Sequence, residues 1–485
     1  MSVQNARVAK NMVGILVTQL FAWAMSALVT YYLPRYIHDS GMGKLAISSA
    51  MVMLIGVIVP LGTSQVLIKE IARDRSRAGS LFVSAFTLRL VLGVIAIPLA
   101  YLAACLMGYS LEKRLLILVS IPGMVVFVLN DVFASVYQGF EEMKRFNRAT
   151  VLDKFVFGIA TLLLIMLHAP LWMIAAISAV TGLVTFIYYV SGMGELLKTI
   201  SLPKIADMKA LAMASLPFMG LLVFRTLYGQ TDPIILGAVA TDAEVGWYAM
   251  AFRLVGTAMF FPMALVMTLL PTLARLHGAG DRAGFASLAR KALDITLLVG
   301  LPIAAAAIFL AKPIVNLLYG SANAGAVPVL SVGGIGMLLY FVTAVLGLLV
   351  MAMDRQSVQI RGSIIACLFG IPLCILFSWG GHRLWGNAAL GAMISDVVVE
   401  VYLGVVYWRA LPRGLFSGGL ASQLMRYVFA AVPMIVGLFL SLGTNMGLWA
   451  VFPCALLYLV ACVLLRCWSL TDLKALQGML VRRTA

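Results

Sequence analysis

Apolar residues fill long runs along nearly the whole chain, and the polar residues between them fall into short connections. Runs of about 18 or more apolar residues have the length of a helix that crosses a bilayer. The pattern predicts fourteen spans, at about 11–34, 44–67, 80–107, 114–138, 150–168, 170–191, 208–232, 244–271, 288–311, 326–353, 357–379, 387–408, 424–443 and 446–466. The expected fold is an all-α polytopic membrane protein. No connection has room for a soluble domain of ordinary size, roughly 50 residues or more. The first run follows Arg7 and Lys10, exceeds a signal-peptide core and lacks a small-residue cleavage site, so it is expected to be a retained span.

Charge sets the expected orientation. With the N-terminus inside, the tail and alternate connections on that side hold 26 of the 35 Lys and Arg residues, including KEIARDRSR, KRFNR and RRTA. The opposite side holds six (Arg35, Lys44, Lys113, Arg114, Lys312, Arg383), and three lie inside spans. Basic residues favour cytoplasmic connections. The split therefore predicts a multi-pass membrane protein with an even span count and both termini cytoplasmic. The same bias accounts for a net charge of +16 with no nucleic acid as partner. The six cysteines lie in or at the ends of apolar runs, without metal-ligand spacing, and read as small buried hydrophobes. The four histidines fall in connections and show no metal spacing either, so no metal site is expected.

The chain also repeats itself. PRYIHDSGMGKLAISSAM leads into span 2, and PIILGAVATDAEVGWYAMAFRL leads into span 8. Setting Gly43 on Gly246 also sets Ala46 on Ala249. RLVLG ending at Gly93 matches ITLLVG ending at Gly300, and YQGFEEMKRF matches VMAMDRQSV, while the offset drifts from 203 to 213. Both halves begin inside and hold six spans, so the repeat is parallel. It predicts two six-helix bundles, 1–200 and 201–415, related by an axis along the membrane normal with the substrate site between them. Spans 13 and 14 form an extra segment, 416–485. Its tail, SLTDLKALQGMLVRR, has the spacing of an amphipathic helix on the inner membrane surface.

Two stretches carry a family likeness: YYLPRYIHDSGMGKLAISSAMVMLIGVIVPLGTSQVLIKEIARDRSRAG across spans 1–3, and YGQTDPIILGAVATDAEVGWYAMAFRLV across spans 7–8. With six plus six plus two spans, the chain resembles the Wzx-type polysaccharide flippases of the multidrug/oligosaccharidyl-lipid/polysaccharide (MOP) exporter superfamily. The resemblance implies a MATE-like fold and an alternating-access flippase that changes no covalent bond, not an enzyme. The implied cargo is a polyprenyl-diphosphate-linked oligosaccharide, moved from the inner to the outer leaflet for cell-surface polysaccharide synthesis of the lipopolysaccharide or O-antigen kind. The implied partners are membrane lipids and a polysaccharide polymerase or ligase.

Three arginines lie inside spans: Arg89, Arg225 and Arg253. A permanent cation at the bilayer centre costs about 2.5–3.5 kcal/mol on the insertion scale. Each should therefore face a watery or anion-binding interior, or a carboxylate. Arg253 sits near mid-membrane in span 8, and its repeat counterpart is Ala50, so the repeat does not itself require it. Its planar fork of donors suits the diphosphate of the carrier lipid, and an ion pair with a neighbouring helix is the alternative. Lipid II flippases, which the chain resembles in architecture, have an arginine in the equivalent helix. Arg225, a second candidate for substrate binding, shares a helix face with Tyr228 and Asp232, and a helix-end network in which Asp232 orients loop amides is the alternative. Arg89 and Asp131 match in depth on consecutive spans, which leaves substrate binding and a structural pair both open.

Two polar stripes are candidate cavity linings. Span 1 carries Gln19, Trp23, Ser26 and Thr30, and span 4 carries Asp131, Ser135 and Gln138, at helical spacing. Amides, hydroxyls and an indole suit sugars, and hydrogen bonding between helices is the alternative. Asp396 and Glu400 stand one turn apart on span 12. Two ionised carboxylates there repel, and burial disfavours their charge. A held proton or a bridging cation is expected, which makes the pair a candidate coupling site for H+ or Na+. A salt bridge to Arg253 or Arg409 is the alternative.

No P-loop and no paired catalytic carboxylates in a soluble segment occur, so ATP-driven transport by this chain alone is not expected. A multidrug exporter would share the architecture, but drug cations call for an acidic cavity. A membrane glycosyltransferase or polymerase would need a sizeable acidic outer loop. The longest outer connection, around VNLLYGSANAGAVPV, has no carboxylate.

Overall fold

A computed structural model describes residues 3–194, 204–416, 420–441, 447–465 and 467 of the chain. Side chains are described from residue 24 onward, except at 217, 218, 220–222, 224, 225, 228, 420, 421 and 447. By contact density the chain forms two compact units, Met1–Gly246 and Trp247–Ala485.

The first unit starts with α1 (Val3–Ile58), 56 residues long. A straight helix of that length would run about 84 Å, far beyond a hydrocarbon core of about 30 Å. The backbone kinks at His38 (φ 56°, ψ −171°), between expected spans 1 and 2. There follow α2 (Thr63–Arg73), α3 (Ala78–Leu106), α4 (Leu111–Gly139), α5 (Met143–Met166), α6 (Leu171–Val190) and α7 (Ile205–Val239). The division between units falls within α8 (Asp242–Ala258). The second unit continues with α9 (Phe260–Gly278), α10 (Arg282–Phe309), α11 (Ala311–Tyr319), α12 (Ala326–Ala352), α13 (Gln356–Trp385), α14 (Ala388–Ala410), α15 (Leu420–Ser441) and α16 (Val451–Leu464). Among the described residues no strand is present.

Eleven helices among the described residues are long and apolar enough to cross a membrane, and Leu448–Leu464 is a shorter apolar helix. One of the eleven, Ala24–Ile58, carries parts of expected spans 1 and 2 on either side of the kink. Expected span 7 is α7, and expected span 14 is the shorter helix. The architecture is all-α and polytopic, as the hydrophobic pattern requires.

Two expected spans are discontinuous. Span 2 stops at Ile58; Leu61 (φ 51°) and Gly62 (φ 75°) turn the chain after Pro60, and α2 starts at Thr63. Span 8 breaks at Met259, between α8 and α9, three residues before Pro262. Proline lacks the N–H that would continue the ladder, and both breaks stand at matching places in the repeat.

Backbone detail repeats as well. Glu141 and Asp354, which the sequence repeat sets together, both take left-handed φ (63° and 56°). Each closes a helix with a Schellman turn: Glu142 N–H donates to the Tyr137 carbonyl at 2.8 Å, and Arg355 N–H to the Val350 carbonyl at 3.1 Å. Within the first unit, a β-carbon on Gly43 would fall 1.8 Å from the Asp242 carbonyl oxygen. One on Gly246 would fall 2.0 Å from the Asp39 carbonyl oxygen. Asp39 and Asp242 occupy equivalent places in the repeat, so the contact is reciprocal, as in an isologous interface.

Apolar packing fixes each unit by itself. In the first, Phe82, Phe133, Tyr137 and Tyr189 form an aromatic core among α3, α4 and α6. In the second, Leu346 and Leu349 of α12 pack with Leu403 and Tyr407 of α14. The α15–α16 pair joins α10 through Tyr427, Met434 and Tyr458.

Candidate functional site

The break before α2 places Thr63 and Ser64 at a helix start, directly beside α3 and α4. Arg89 of α3 is fully buried there. Its Nε donates to Thr63 Oγ1 at 3.1 Å, and its Nη2 donates to Thr63 Oγ1 and Ser64 Oγ, both at 2.8 Å. Its Nη1 donates to the Val128 carbonyl at 2.8 Å and to Asp131 Oδ2 at 2.9 Å. A guanidinium has five N–H groups, and all five are matched. Ser64 Oγ also donates to Asp131 Oδ2, and Thr63 Oγ1 donates to the Pro60 carbonyl at 2.7 Å. Of the two alternatives for Arg89, the geometry is that of the structural pair: a phosphate could bind this side chain only by displacing a partner. The Asp131 side chain is 38% exposed, so the network opens on the Asp131 side.

The rest of the span 4 stripe divides. Ser135 is fully buried, and its hydroxyl donates to the Asp131 carbonyl of its own helix at 2.7 Å. Gln138 is half-buried in the last turn of α4. On the span 1 stripe, Ser26 is exposed and Thr30 half-buried, and Thr30 Oγ1 donates to the Ser26 carbonyl at 2.7 Å. Gln19, Trp23, Arg225 and Tyr228 have side chains outside the described residues.

In the second unit, Arg253 lies on α8, half-buried, within electrostatic range of the Tyr319 phenol. Tyr319 is buried and donates to the Met250 carbonyl at 2.9 Å, which fastens α11 beside the Arg253 turn of α8. The carboxylates of α14 each receive a hydroxyl from a different helix. Tyr248 Oη of α8 donates to Asp396 Oδ2 at 2.9 Å, and Thr343 Oγ1 of α12 donates to Glu400 Oε1. Glu400 is buried. A hydroxyl donor stabilises a carboxylate and can turn to accept once that carboxylate takes a proton. Among the described residues no cluster of three or more His, Cys, Asp or Glu could hold a metal ion.

Sequence reading passed over Thr63, Ser64, Tyr248 and Thr343. Each is an ordinary hydroxyl in an apolar run, and only its distance to a charged group on another helix marks it. For Thr63 and Ser64 a signal existed, since they follow directly on the Pro60–Gly62 turn.

The fold defines a class. It superposes on "Lipid II flippase MurJ, inward closed conformation" with a TM-score of 0.71, covering 94% of this chain and 99% of that one at 16% identity. It also superposes on an inward-facing multidrug resistance MATE family transporter of the MOP superfamily, with a TM-score of 0.63, covering 79% and 93% at 16% identity. The architecture is that of the MOP superfamily. The chain belongs to the family described as "Polysaccharide biosynthesis protein", which matches residues 8–277; the MatE family description matches residues 217–376. A curated relative, "Multidrug resistance protein PmpM" of Pseudomonas aeruginosa, is 27% identical over 215 residues, 42% of this chain and 43% of that protein. The chain thus matches less than half the length of that relative.

Proposed function

We propose that the protein is a flippase that carries a polyprenyl-diphosphate-linked oligosaccharide from the inner to the outer leaflet of the plasma membrane. The observation that carries the reading is Arg253, a guanidinium in the middle of an apolar span in a member of a polysaccharide biosynthesis family. Holding a cation at that depth is costly, and a forked donor repays the cost by binding diphosphate oxygens. In this reading Arg253 contacts the diphosphate, with Arg225 as the second cationic contact, while Arg89 positions α2 against α3 and α4. Sugars pass the polar stripe of span 1. The basic connections face the cytoplasm, and Asp396 and Glu400 couple transport to an H+ or Na+ gradient. A polymerase or ligase takes up the glycan outside.

The test uses vesicles loaded with a lipid-linked oligosaccharide. Arg253→Ala is expected to slow translocation at least tenfold, equivalent to about 1.4 kcal/mol. Arg253→Lys is expected to fall between, because an ammonium keeps the charge but not the fork. Normal rates in both variants would remove Arg253 from the mechanism. A second reading, export of small molecules, is favoured by the match to PmpM. Translocation of a cationic drug, with none of the glycolipid, would establish it instead.

A further inference from the structure

Arg89 and Arg145 put the same side chain to opposite uses within the first unit. Arg89 has every donor matched. Arg145, in the first turn of α5, donates from Nη1 to the Gly192 carbonyl at 3.3 Å, and its buried Nε meets no acceptor. The side chain is nevertheless held in place. Its Cζ lies 5.5 Å from the Tyr137 ring centroid and 6.0 Å from that of Tyr188. A β-carbon on Gly192 would fall 1.8 Å from Cζ, so the guanidinium occupies the space that only glycine leaves. Tyr137 is itself fixed: its Oη donates to the Tyr189 carbonyl at 2.9 Å, and the two rings stack at 5.6 Å. The Schellman turn at Glu141 delivers α5 to this corner.

The electrostatics of the corner are one-sided. Lys144, Arg145 and Arg148 stand in the first turns of α5, Glu142 gives the helix start no side-chain cap, and the Arg145 N–H turns back to the Glu142 carbonyl at 3.1 Å. Cations at the positive end of a helix dipole are unfavourable. Glu141 and Glu142 are both exposed, and the ion pairs among the described residues do not join either of them to Arg145. A guanidinium set over two tyrosine rings, with Nη donors left beyond the Gly192 bond and a helix start without a side-chain cap beside it, has donors that can meet phosphate oxygens. Cation–π contacts hold the plane of the fork and consume none of its N–H groups.

We infer that the Arg145 corner, with Lys144, Arg148 and the α5 N-terminus, binds the phosphate group of a lipid headgroup. Resting on the function proposed above, that group is the diphosphate of the lipid-linked glycan, met on the basic face of the first unit before it reaches Arg253. A phosphodiester of the surrounding bilayer has the same chemistry, and the experiment separates the two sources.

The full chain in dodecyl maltoside micelles, which carry no phosphate, is followed by hydrogen exchange of the 141–150 segment, which reports this corner and not the Arg253 turn. Inorganic pyrophosphate, standing in for the headgroup, is expected to slow exchange there roughly fivefold. Arg145→Ala should abolish the effect. Arg145→Lys, which keeps the charge and spares the fold, should retain only part of it, and Arg253→Ala should leave it intact. Slowing by phosphatidylglycerol added to the micelles, with none by pyrophosphate, assigns the phosphate to bilayer lipid and overturns the glycan carrier as its source. No slowing by either probe, or slowing that persists unchanged in Arg145→Ala, overturns the site. Because the exchange readout does not involve translocation, the Arg253 assay can fail or succeed independently of it.

Discussion

Arg89 shows what one residue can and cannot say about itself. Its depth in an apolar run marks it as costly, and the matching depth of Asp131 marks a partner. Neither shows that Thr63, Ser64 and the Val128 carbonyl take the remaining donors, because these contacts join residues 25 to 42 positions apart. Removing one member of a buried pair strands the other. Arg89→Ala is expected to lower stability by about 3 kcal/mol, the lower end of the roughly 3–5 kcal/mol that breaking a buried pair costs, because the Asp131 side chain stays partly solvated. Thermal melting of the purified protein measures it. Adding Asp131→Ala should cost less than the sum of the two single changes, since neither charge is then left alone. An Arg89→Ala variant that melts like the native protein, or strictly additive losses, would contradict the structural role. Ser135 teaches the converse lesson: a hydroxyl on a polar stripe can serve its own helix, and spacing alone does not separate the two uses.

At the scale of elements, helix lengths and ends were largely legible. Apolar run length placed the spans, and the repeat YQGFEEMKRF/VMAMDRQSV placed equivalent helix ends that share a left-handed cap. The breaks within spans 2 and 8 were hidden, because the apolar run continues across them while the backbone turns. Prolines 60 and 262 were the available signals, and several other prolines lie inside intact helices, such as Pro98 in α3 and Pro302 in α10. The Gly43–Gly246 match pointed to equivalence, and the structure adds that the two glycines sit where the chain crosses its own repeat. Lys113 Nζ pairs with Asp242 Oδ1 at 2.6 Å beside that crossing, and Lys44 pairs with Glu112 at 2.6 Å. Gly43→Ala and Gly246→Ala should each destabilise by about 1–3 kcal/mol, the usual range for overpacking, and to a similar extent, because the contact is reciprocal. Equilibrium melting of both variants checks the prediction. A harmless Gly43→Ala would mean that the helices separate without penalty.

For the whole molecule, two boundaries answer two questions. The repeat divides the chain near residue 200 by counting spans, whereas contact density divides it at Gly246, since α7 packs on the first unit through contacts such as the Tyr109 hydroxyl on the Ile234 carbonyl at 2.8 Å. Transport itself belongs at this scale. Asp396→Asn and Glu400→Gln are each expected to make the translocation rate insensitive to collapse of the H+ or Na+ gradient, while the lipid-linked substrate still binds. The measurement is vesicle transport with each gradient dissipated in turn, and a native rate already indifferent to both would dismiss coupling.

The sequence by itself determined that this is an all-helical, many-span membrane protein built on an internal repeat. Run length, charge bias and self-similarity are properties of the chain read in order, and the bilayer imposes them locally. Only the tertiary structure decided which charges are satisfied. Arg89 and Arg145 look alike in composition and differ in whether helices bring acceptors within about 3 Å, a distance set by packing between segments far apart in the chain.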